Sequence, residues 1–119
     1  MTDYNAEVEA EMAAQDDKWG PKEVLPLHTH ERTLQNPKNY NETMRQMYED
    51  RADDFKRFND ESSSRNGNGG EVGWDTILLE EVYEAVSESD LAKLRIELIQ
   101  VEAVCRQMRM AIDNGLINL

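Results

Sequence analysis

The stretch WDTILLEEVYEAVSESDLAKLRIELIQV, from Trp74 to Val101, contains two apolar-periodic segments separated by the polar sequence SESD. Apolar residues recur at helical spacing on both sides of SESD, so the stretch predicts two antiparallel helices joined by a turn. The third helix of the chain is predicted over about residues 74–87. The fourth is predicted to begin at an N-cap, Ser89 or Asp90, and to reach about residue 113, with Gly115 beyond its end.

Both predicted helices place carboxylates on their apolar faces. At 100° per residue, Glu84 and Glu88 lie within about 60° of Glu81 around the helix axis. The fourth helix repeats this arrangement with Glu97 and Gln100, again about 60° apart. An ionised carboxylate in apolar surroundings is so unfavourable that it protonates, pairs with a cation or binds a metal.

These facing carboxylates predict that a divalent cation binds between the two helices. Three acidic groups between antiparallel helices cannot all be ionised without positive charge among them, and Lys93 alone does not supply enough of it. Mg²⁺ prefers oxygen ligands and retains water, so Glu81, Glu84 and Glu97 are predicted to hold Mg²⁺. Mn²⁺ is the alternative ion.

The rest of the chain predicts a single all-α domain of about four helices, whose core is completed by oligomerisation. Tyr4, Val8 and Met12 form a stripe on the first helix, for which Thr2 or Asp3 is the cap. The predicted segments of the domain 1–119 are an N-terminal helix and motif (1–20), a loop with all three prolines (21–40), a helix (41–59), a flexible Gly/Ser-rich loop (60–73) and the helical hairpin (74–113).

Composition narrows the functional classes. The 119 residues carry 13 Lys and Arg against 25 Asp and Glu, a formal charge of -12, which disfavours binding to a nucleic-acid backbone. Cys105 is the one cysteine and lies in an apolar helical stretch, which favours a packing role in a reducing compartment. The sequence shows neither a basic leader nor a run of 18 apolar residues, so a cytoplasmic protein without membrane association is predicted.

The spacing of the carboxylates resembles a family signature. EEVYE (80–84), twelve residues and then ELIQ (97–100) resembles the Glu-x-x-Glu, spacer, Glu-x-x-Asp signature of MazG-like all-α nucleoside triphosphate pyrophosphohydrolases. The flanking sequence over about residues 74–113 is similar to the actinobacterial and phage branch of that family. QDDKWG (15–20) is similar to its N-terminal motif.

This resemblance implies an activity and a set of site residues. Family members convert a nucleoside or deoxynucleoside triphosphate and water to the monophosphate and pyrophosphate with Mg²⁺, generally as dimers or tetramers. The implied metal ligands are Glu81, Glu84, Glu97 and Gln100. Glu80 or Glu88 would accept the proton of the attacking water.

Three further side chains are candidates for substrate binding. Trp19 could stack on a nucleobase, as a tryptophan of the resembling motif would, although a core anchor is the alternative role. Lys18 and Lys93 could approach a triphosphate, although ordinary surface charge also explains them. His28 and His30 form a His-x-His without further metal ligands nearby, and they are predicted to be exposed loop residues.

One position departs from the family signature. Gln100 stands where the family has Asp, and a neutral amide offers oxygen to a metal but no charge. This departure favours a second hypothesis, a catalytically inactive helical protein that binds a nucleotide or a protein partner, for example as a phage sequestering or inhibitory factor. A third hypothesis is a helical oligomerisation module with acidic seams.

Overall fold

The computed structural model describes residues 2–19, 27–28, 37–66 and 72–119, and the regular secondary structure of these residues is entirely helical. These parts contain the helices α1 (Tyr4–Trp19), α2 (Pro37–Asn66), α3 (Trp74–Ser87) and α4 (Leu91–Asp113). The all-α prediction is therefore confirmed for the described residues. Within those ranges, no helix is both long enough and apolar enough to cross a membrane.

The hairpin of α3 and α4 follows the sequence prediction closely. Asp90 is the N-cap of α4, and its Oδ1 accepts hydrogen bonds from the backbone N–H groups of Ala92 at 2.9 Å and Lys93 at 3.2 Å. At the other end, Gly115 has a φ of 69°, a left-handed conformation that suits glycine and ends the helix. The backbone N–H of Leu116 donates to the Ala111 carbonyl at 2.8 Å and closes this end.

The second helix is longer than the predicted range of 41–59. It begins at Pro37, inside the predicted loop 21–40, and continues to Asn66, inside the predicted loop 60–73. Proline is well accommodated in the first helical turn because its missing N–H has no partner there. Serine and asparagine are only moderately unfavourable in a helix, so α2 continues past residue 59 to Asn66.

Aromatic side chains join α2 to α3. The ring of Tyr83 on α3 stacks against Phe55 on α2, with centroids 5.8 Å apart, and against Tyr48 at 6.1 Å. His28 contacts Tyr48 at 5.6 Å, and its Nε2 lies 2.6 Å from the Val86 carbonyl. His28 is 5% exposed, so the prediction of an exposed loop histidine is wrong for this residue. His30 lies outside the described residues.

The first helix is attached to the C-terminal end of α4. The Tyr4 hydroxyl donates to Asp113 Oδ2 at 2.7 Å, and Arg109 Nη2 donates to the Tyr4 carbonyl and to Glu7 Oε1, both at 3.1 Å. The Arg109 guanidinium also lies 4.7 Å from the centroid of the Tyr4 ring. Asp3 is the N-cap of α1, since its Oδ1 accepts a hydrogen bond from the Ala6 N–H at 3.0 Å. Asp3 was one of the two residues predicted for this cap.

Replacing Arg109 with alanine is expected to loosen this attachment. The change removes the cation over the Tyr4 ring, one hydrogen bond and a half-exposed ion pair, together about 1 to 2 kcal/mol. Amide hydrogen exchange should then be faster in α1 and unchanged in α3. Arg95→Ala on the exposed surface of the same helix is the matched control, and equal exchange in both variants would contradict the assigned role of Arg109.

Candidate metal centre

The predicted metal ligands meet between α3 and α4. One carboxylate oxygen from each of Glu81, Glu84 and Glu97 lies within 4.8 Å of the other two, and all three residues are half-buried. Glu81 and Glu84 share one face of α3 because they are one turn apart, and the capped turn at Asp90 brings Glu97 of α4 beside them. We call these three residues the carboxylate cluster.

The spacing and chemistry of the carboxylate cluster suit a small hard cation. Opposite oxygen ligands of an octahedral Mg²⁺ ion are about 4.2 Å apart, given metal–oxygen distances of about 2.1 Å. Three oxygens that all lie within 4.8 Å of one another are therefore close to the spacing that one such ion requires, and small side-chain rotations would bring them to bonding distance. The half-buried position also leaves room for water on the remaining coordination positions.

Gln100 lies within the carboxylate cluster. With no cation in the cluster, its amide nitrogen is assigned as the donor to Glu81 Oε2 at 3.1 Å and to Glu97 Oε2 at 3.0 Å, since the opposite orientation would set the amide oxygen against two carboxylates. The amide thus links the two helices and places hydrogen-bond donors where the negative charge is highest. Metal ligation by Gln100 would require the amide to turn its oxygen inward.

Burial, together with the neighbouring carboxylates, raises the pKa values of Glu84 and Glu81. Burial raises the pKa of Glu84 to about 7, and Glu81, Glu80 and Glu97 add to the effect, while Lys56 opposes it. Burial also raises the pKa of Glu81, with further contributions from Glu80 and Glu97. In the absence of a cation, such shifts mean that full ionisation of these carboxyls is unfavourable, and a bound cation would relieve that condition.

An open cavity of about 310 Å³ extends from the carboxylate cluster towards α2. The residues that line it come from α2, from α3 and its C-terminal turn, and from α4: Glu49, Ala52, Asp53, Lys56, Glu84, Ser87, Glu88, Ser89 and Glu97. Five of these carry carboxylates and one is a lysine, so the described lining has a formal charge of -4. A cavity with this lining favours a cation, or an anion that arrives with cations.

The sequence analysis did not identify the contribution of α2. Glu49, Asp53 and Lys56 follow helical spacing and looked like a solvated face, because charged residues at that spacing usually are one. The available signal was Ala52, a small residue among charged neighbours, which is buried at 6% exposure. A small buried side chain lets α2 approach α3 and brings the charged residues on either side of it to the cavity.

The two candidate bases are placed differently. Glu88 lines the cavity, but its Oε1 accepts from the backbone N–H groups of Ser89 and Asp90, both at 3.0 Å. Those bonds hold one oxygen of Glu88 in the turn and leave the other for chemistry. Glu80 is half-buried on α3 and lies near enough to raise the pKa values of Glu81 and Glu84.

Of the candidate substrate-binding residues, Lys18 and Lys93 are not among the described residues that line the cavity. Lys93 is exposed in the first turn of α4 and is not among the described residues of the lining. Lys18 is exposed near the end of α1, a helix attached to α4 at the end remote from Asp90. Trp19 ends α1, and its side chain lies outside the described residues. Lys56 is the cation that the described lining does contain.

Comparison with family models, with curated proteins and with solved structures found no match to this chain.

Proposed function

We propose that the protein is a Mg²⁺-dependent pyrophosphohydrolase that converts a nucleoside or deoxynucleoside triphosphate to the monophosphate and pyrophosphate. The observation that supports this proposal is the carboxylate cluster, in which oxygens of Glu81, Glu84 and Glu97 lie within 4.8 Å of one another. The resemblance of residues 80–84 and 97–100 to the MazG-like signature supplies the reaction type. A homo-oligomer, dimer or tetramer, is the proposed functional unit.

The side chains divide the work as follows in this proposal. Glu81, Glu84 and Glu97 hold the divalent ion, Mg²⁺ or Mn²⁺. Bound there, the ion would neutralise phosphate oxygens and lower the pKa of a coordinated water. Glu88 or Glu80 accepts the proton of the attacking water, and Glu88 lines the cavity that would receive the phosphates.

Lys56 is the added element of the proposed site. Its ammonium group can bind a phosphate oxygen as a compact point charge, and it shares the cavity with Glu84 and Glu97. It also stabilises the ionised form of Glu84, the form that a metal ligand requires. Lys56 therefore replaces Lys18 and Lys93 as the lysine best placed to meet the triphosphate.

The test is a substrate screen with purified protein. Pyrophosphate release is measured from a panel of canonical and modified nucleoside and deoxynucleoside triphosphates, with Mg²⁺, with Mn²⁺ and with chelator. The proposal expects release from at least one triphosphate and none with chelator. Absence of release from the whole panel with either metal would overturn the enzymatic part of the proposal.

A second candidate function rests on the contacts of Gln100. The amide donates to Glu81 and Glu97 and so satisfies, without a metal, two of the carboxylates that a metal would bind. This arrangement fits a catalytically inactive protein that binds a nucleotide or a partner without turnover. Calorimetry beside the same triphosphate panel separates the two functions, because only the second gives binding with no release.

Replacing Gln100 with aspartate is expected to strengthen metal binding. The variant removes the amide donors and adds a fourth carboxylate, and the affinity of an oxygen site for a divalent cation rises with its charge. We expect the dissociation constant for Mg²⁺, measured by calorimetry, to fall by about 10-fold.

Gln107→Asp is the matched control for that change. Gln107 is exposed on the same helix, almost two turns beyond Gln100, and the substitution alters the net charge equally. An equal gain in both variants would mean that general charge, and not ligation in the carboxylate cluster, causes the effect.

A further inference from the structure

Side chains close the C-terminal end of α3, next to the cavity. The last carbonyls of an α-helix have no N–H partner within the helix and need other donors. In α3 the Ser87 hydroxyl donates to the Glu84 carbonyl at 3.1 Å. The Val86 carbonyl lies 2.6 Å from Nε2 of His28, a residue 58 positions earlier in the chain. A carbonyl oxygen can only accept a hydrogen bond, so this ring nitrogen carries a proton and donates.

The bond from the imidazole decides what the next N–H groups can do. If α3 continued, the Asp90 N–H would pair with the Val86 carbonyl, since a helical N–H donates to the carbonyl four residues earlier. The Asp90 N–H donates instead to Glu88 Oε1 at 3.0 Å, as does the Ser89 N–H at the same distance. Glu88 has a ψ of 138°, so the backbone is extended there and leaves the helix. The donor from His28 therefore leaves the Asp90 N–H available to the carboxylate of Glu88.

The imidazole of His28 is held between the two helices that form this side of the cavity. His28 is 5% exposed, and its ring centroid lies 5.6 Å from that of Tyr48 on α2. Tyr48 in turn stacks on Tyr83 of α3, with centroids 6.1 Å apart. The residues that follow these two tyrosines in the sequence, Glu49 and Glu84, both line the cavity. His28 thus packs at the level of the cavity and fixes the end of α3 relative to α2.

Glu88 is the cavity residue whose position depends on this turn. A general base must lie within hydrogen-bond reach of the proton that it accepts, and a displacement of about 1 Å can lower a rate about 100-fold. Glu88 lines the cavity together with the metal-ligand candidate Glu84. Glu80, the other candidate base, is not among the described residues of that lining. The geometry of the turn after α3 is therefore the geometry of the better-placed base.

We propose that His28 is a positioning residue for Glu88, because its bond to the Val86 carbonyl ends α3 and holds the Glu88 carboxylate at the cavity. This inference rests on the proposed pyrophosphohydrolase function and assigns the proton-accepting role to Glu88 instead of Glu80. His28 is not among the described residues that line the cavity, so it acts through the turn and not on the substrate. Without the imidazole, the Val86 carbonyl would take the Asp90 N–H, its helical partner, and the Glu88 carboxylate would be released.

Two substitutions of His28 separate the hydrogen bond from the packing of the ring. His28→Phe keeps an aromatic ring beside Tyr48 and removes the donor, whereas His28→Gln keeps an N–H donor on a side chain of similar reach. With pyrophosphate release as the readout, His28→Phe is expected to lower kcat by about 10- to 100-fold and to leave KM within about twofold. His28→Gln should keep kcat within about threefold of wild type. Adding Glu88→Gln to His28→Phe should lower kcat no further than Glu88→Gln alone, because both changes act on one carboxylate.

Asn59→Leu is the control for the loss of a buried hydrogen bond. The Asn59 amide donates to the Thr76 carbonyl at 3.2 Å, so it also joins α2 to α3, but at the opposite end of α3 from Glu88. This variant should lower Tm and leave kcat within about twofold of wild type. Equal losses of kcat in Asn59→Leu and His28→Phe, or in His28→Gln and His28→Phe, would overturn the inference and leave the proposed function standing. Absence of release from wild type would remove the proposed function itself.

Nuclear magnetic resonance of the protein without substrate tests the same bond independently of any reaction. In wild type, the ring nitrogen shifts of His28 should show the proton on Nε2, and the Cα shift of Glu88 should be that of an extended residue. In His28→Phe, the Cα shift of Glu88 should move to a helical value. A bare Nε2 in wild type would overturn the inference even if His28→Phe failed to fold. An unchanged Glu88 shift in folded His28→Phe would also overturn it.

Discussion

Replacing Glu84 with glutamine is expected to lower pyrophosphate release by about 10³-fold or more, because one carboxylate ligand contributes several kcal/mol of charge stabilisation through the ion. The substitution keeps the size and shape of the side chain, so the α3–α4 hairpin should fold as before. Glu81→Gln and Glu97→Gln should behave alike, since the three oxygens lie within 4.8 Å of one another. Release is measured with saturating Mg²⁺, and circular dichroism checks the helical content.

Glu102→Gln is the control for the change in charge. Glu102 is exposed on α4 and lines a groove beside α1, away from the carboxylate cluster, and its replacement should leave pyrophosphate release within twofold of wild type. Release at the wild-type rate from Glu84→Gln would show that the carboxylate cluster does not support the reaction. A loss of the same size in Glu102→Gln would point to a general effect of charge.

The local parts of the site could be predicted from the sequence. The caps of α4 and the glycine after it are encoded by neighbouring residues, so the ends of the hairpin follow from Asp90 and Gly115. Helical periodicity then fixes which side chains face the partner helix. The meeting of Glu81 and Glu84 with Glu97 followed from those two facts, and the structure brings their oxygens together.

The parts that depend on α2 could not be predicted in the same way. The register between α2 and α3 is set by non-local contacts, such as the stacking of Phe55 on Tyr83 and the Asn59 amide on the Thr76 carbonyl at 3.2 Å. No short-range pattern encodes that register, so Lys56 could not be assigned to the cavity. His28 is a similar case, because its burial depends on a contact with Val86, 58 residues away.

The carboxylate cluster limits the apolar surface that α3 and α4 can bury against each other. Carboxylates on the inner faces of α3 and α4 use space that large apolar side chains would otherwise fill, and Ala85 and Val104 are the buried apolar residues that these two helices contribute near it. The cluster therefore lowers the stability of the metal-free protomer. A divalent ion in the cluster would restore part of that stability.

We also expect the fold to lose stability as pH rises, and Mg²⁺ to restore that stability at high pH. Burial and the neighbouring glutamates raise the pKa of Glu84 from 4.5 to about 7. A folded-state pKa above the unfolded value means that this group stabilises the fold fully below about pH 4.5, and that the contribution is lost as pH rises through about 7. With allowance for solvent screening of a half-exposed group, the loss is about 1 to 2 kcal/mol.

Thermal unfolding between pH 5 and pH 8, with chelator or with Mg²⁺, measures this effect. At pH 8, Mg²⁺ at about 100 times its dissociation constant should stabilise the fold by about 2.7 kcal/mol, which is about 10 °C in Tm. Near pH 5 the same Mg²⁺ should stabilise it much less, because protons compete for Glu84 and Glu81, whose pKa is also raised. Glu84→Gln isolates the group, since every other titration is shared with the wild type. In chelator, the unfolding temperature of wild type and of Glu84→Gln could change with pH in the same way, and wild type could show no stabilisation by Mg²⁺ at pH 8. Together these results would contradict both the raised pKa of Glu84 and the metal site.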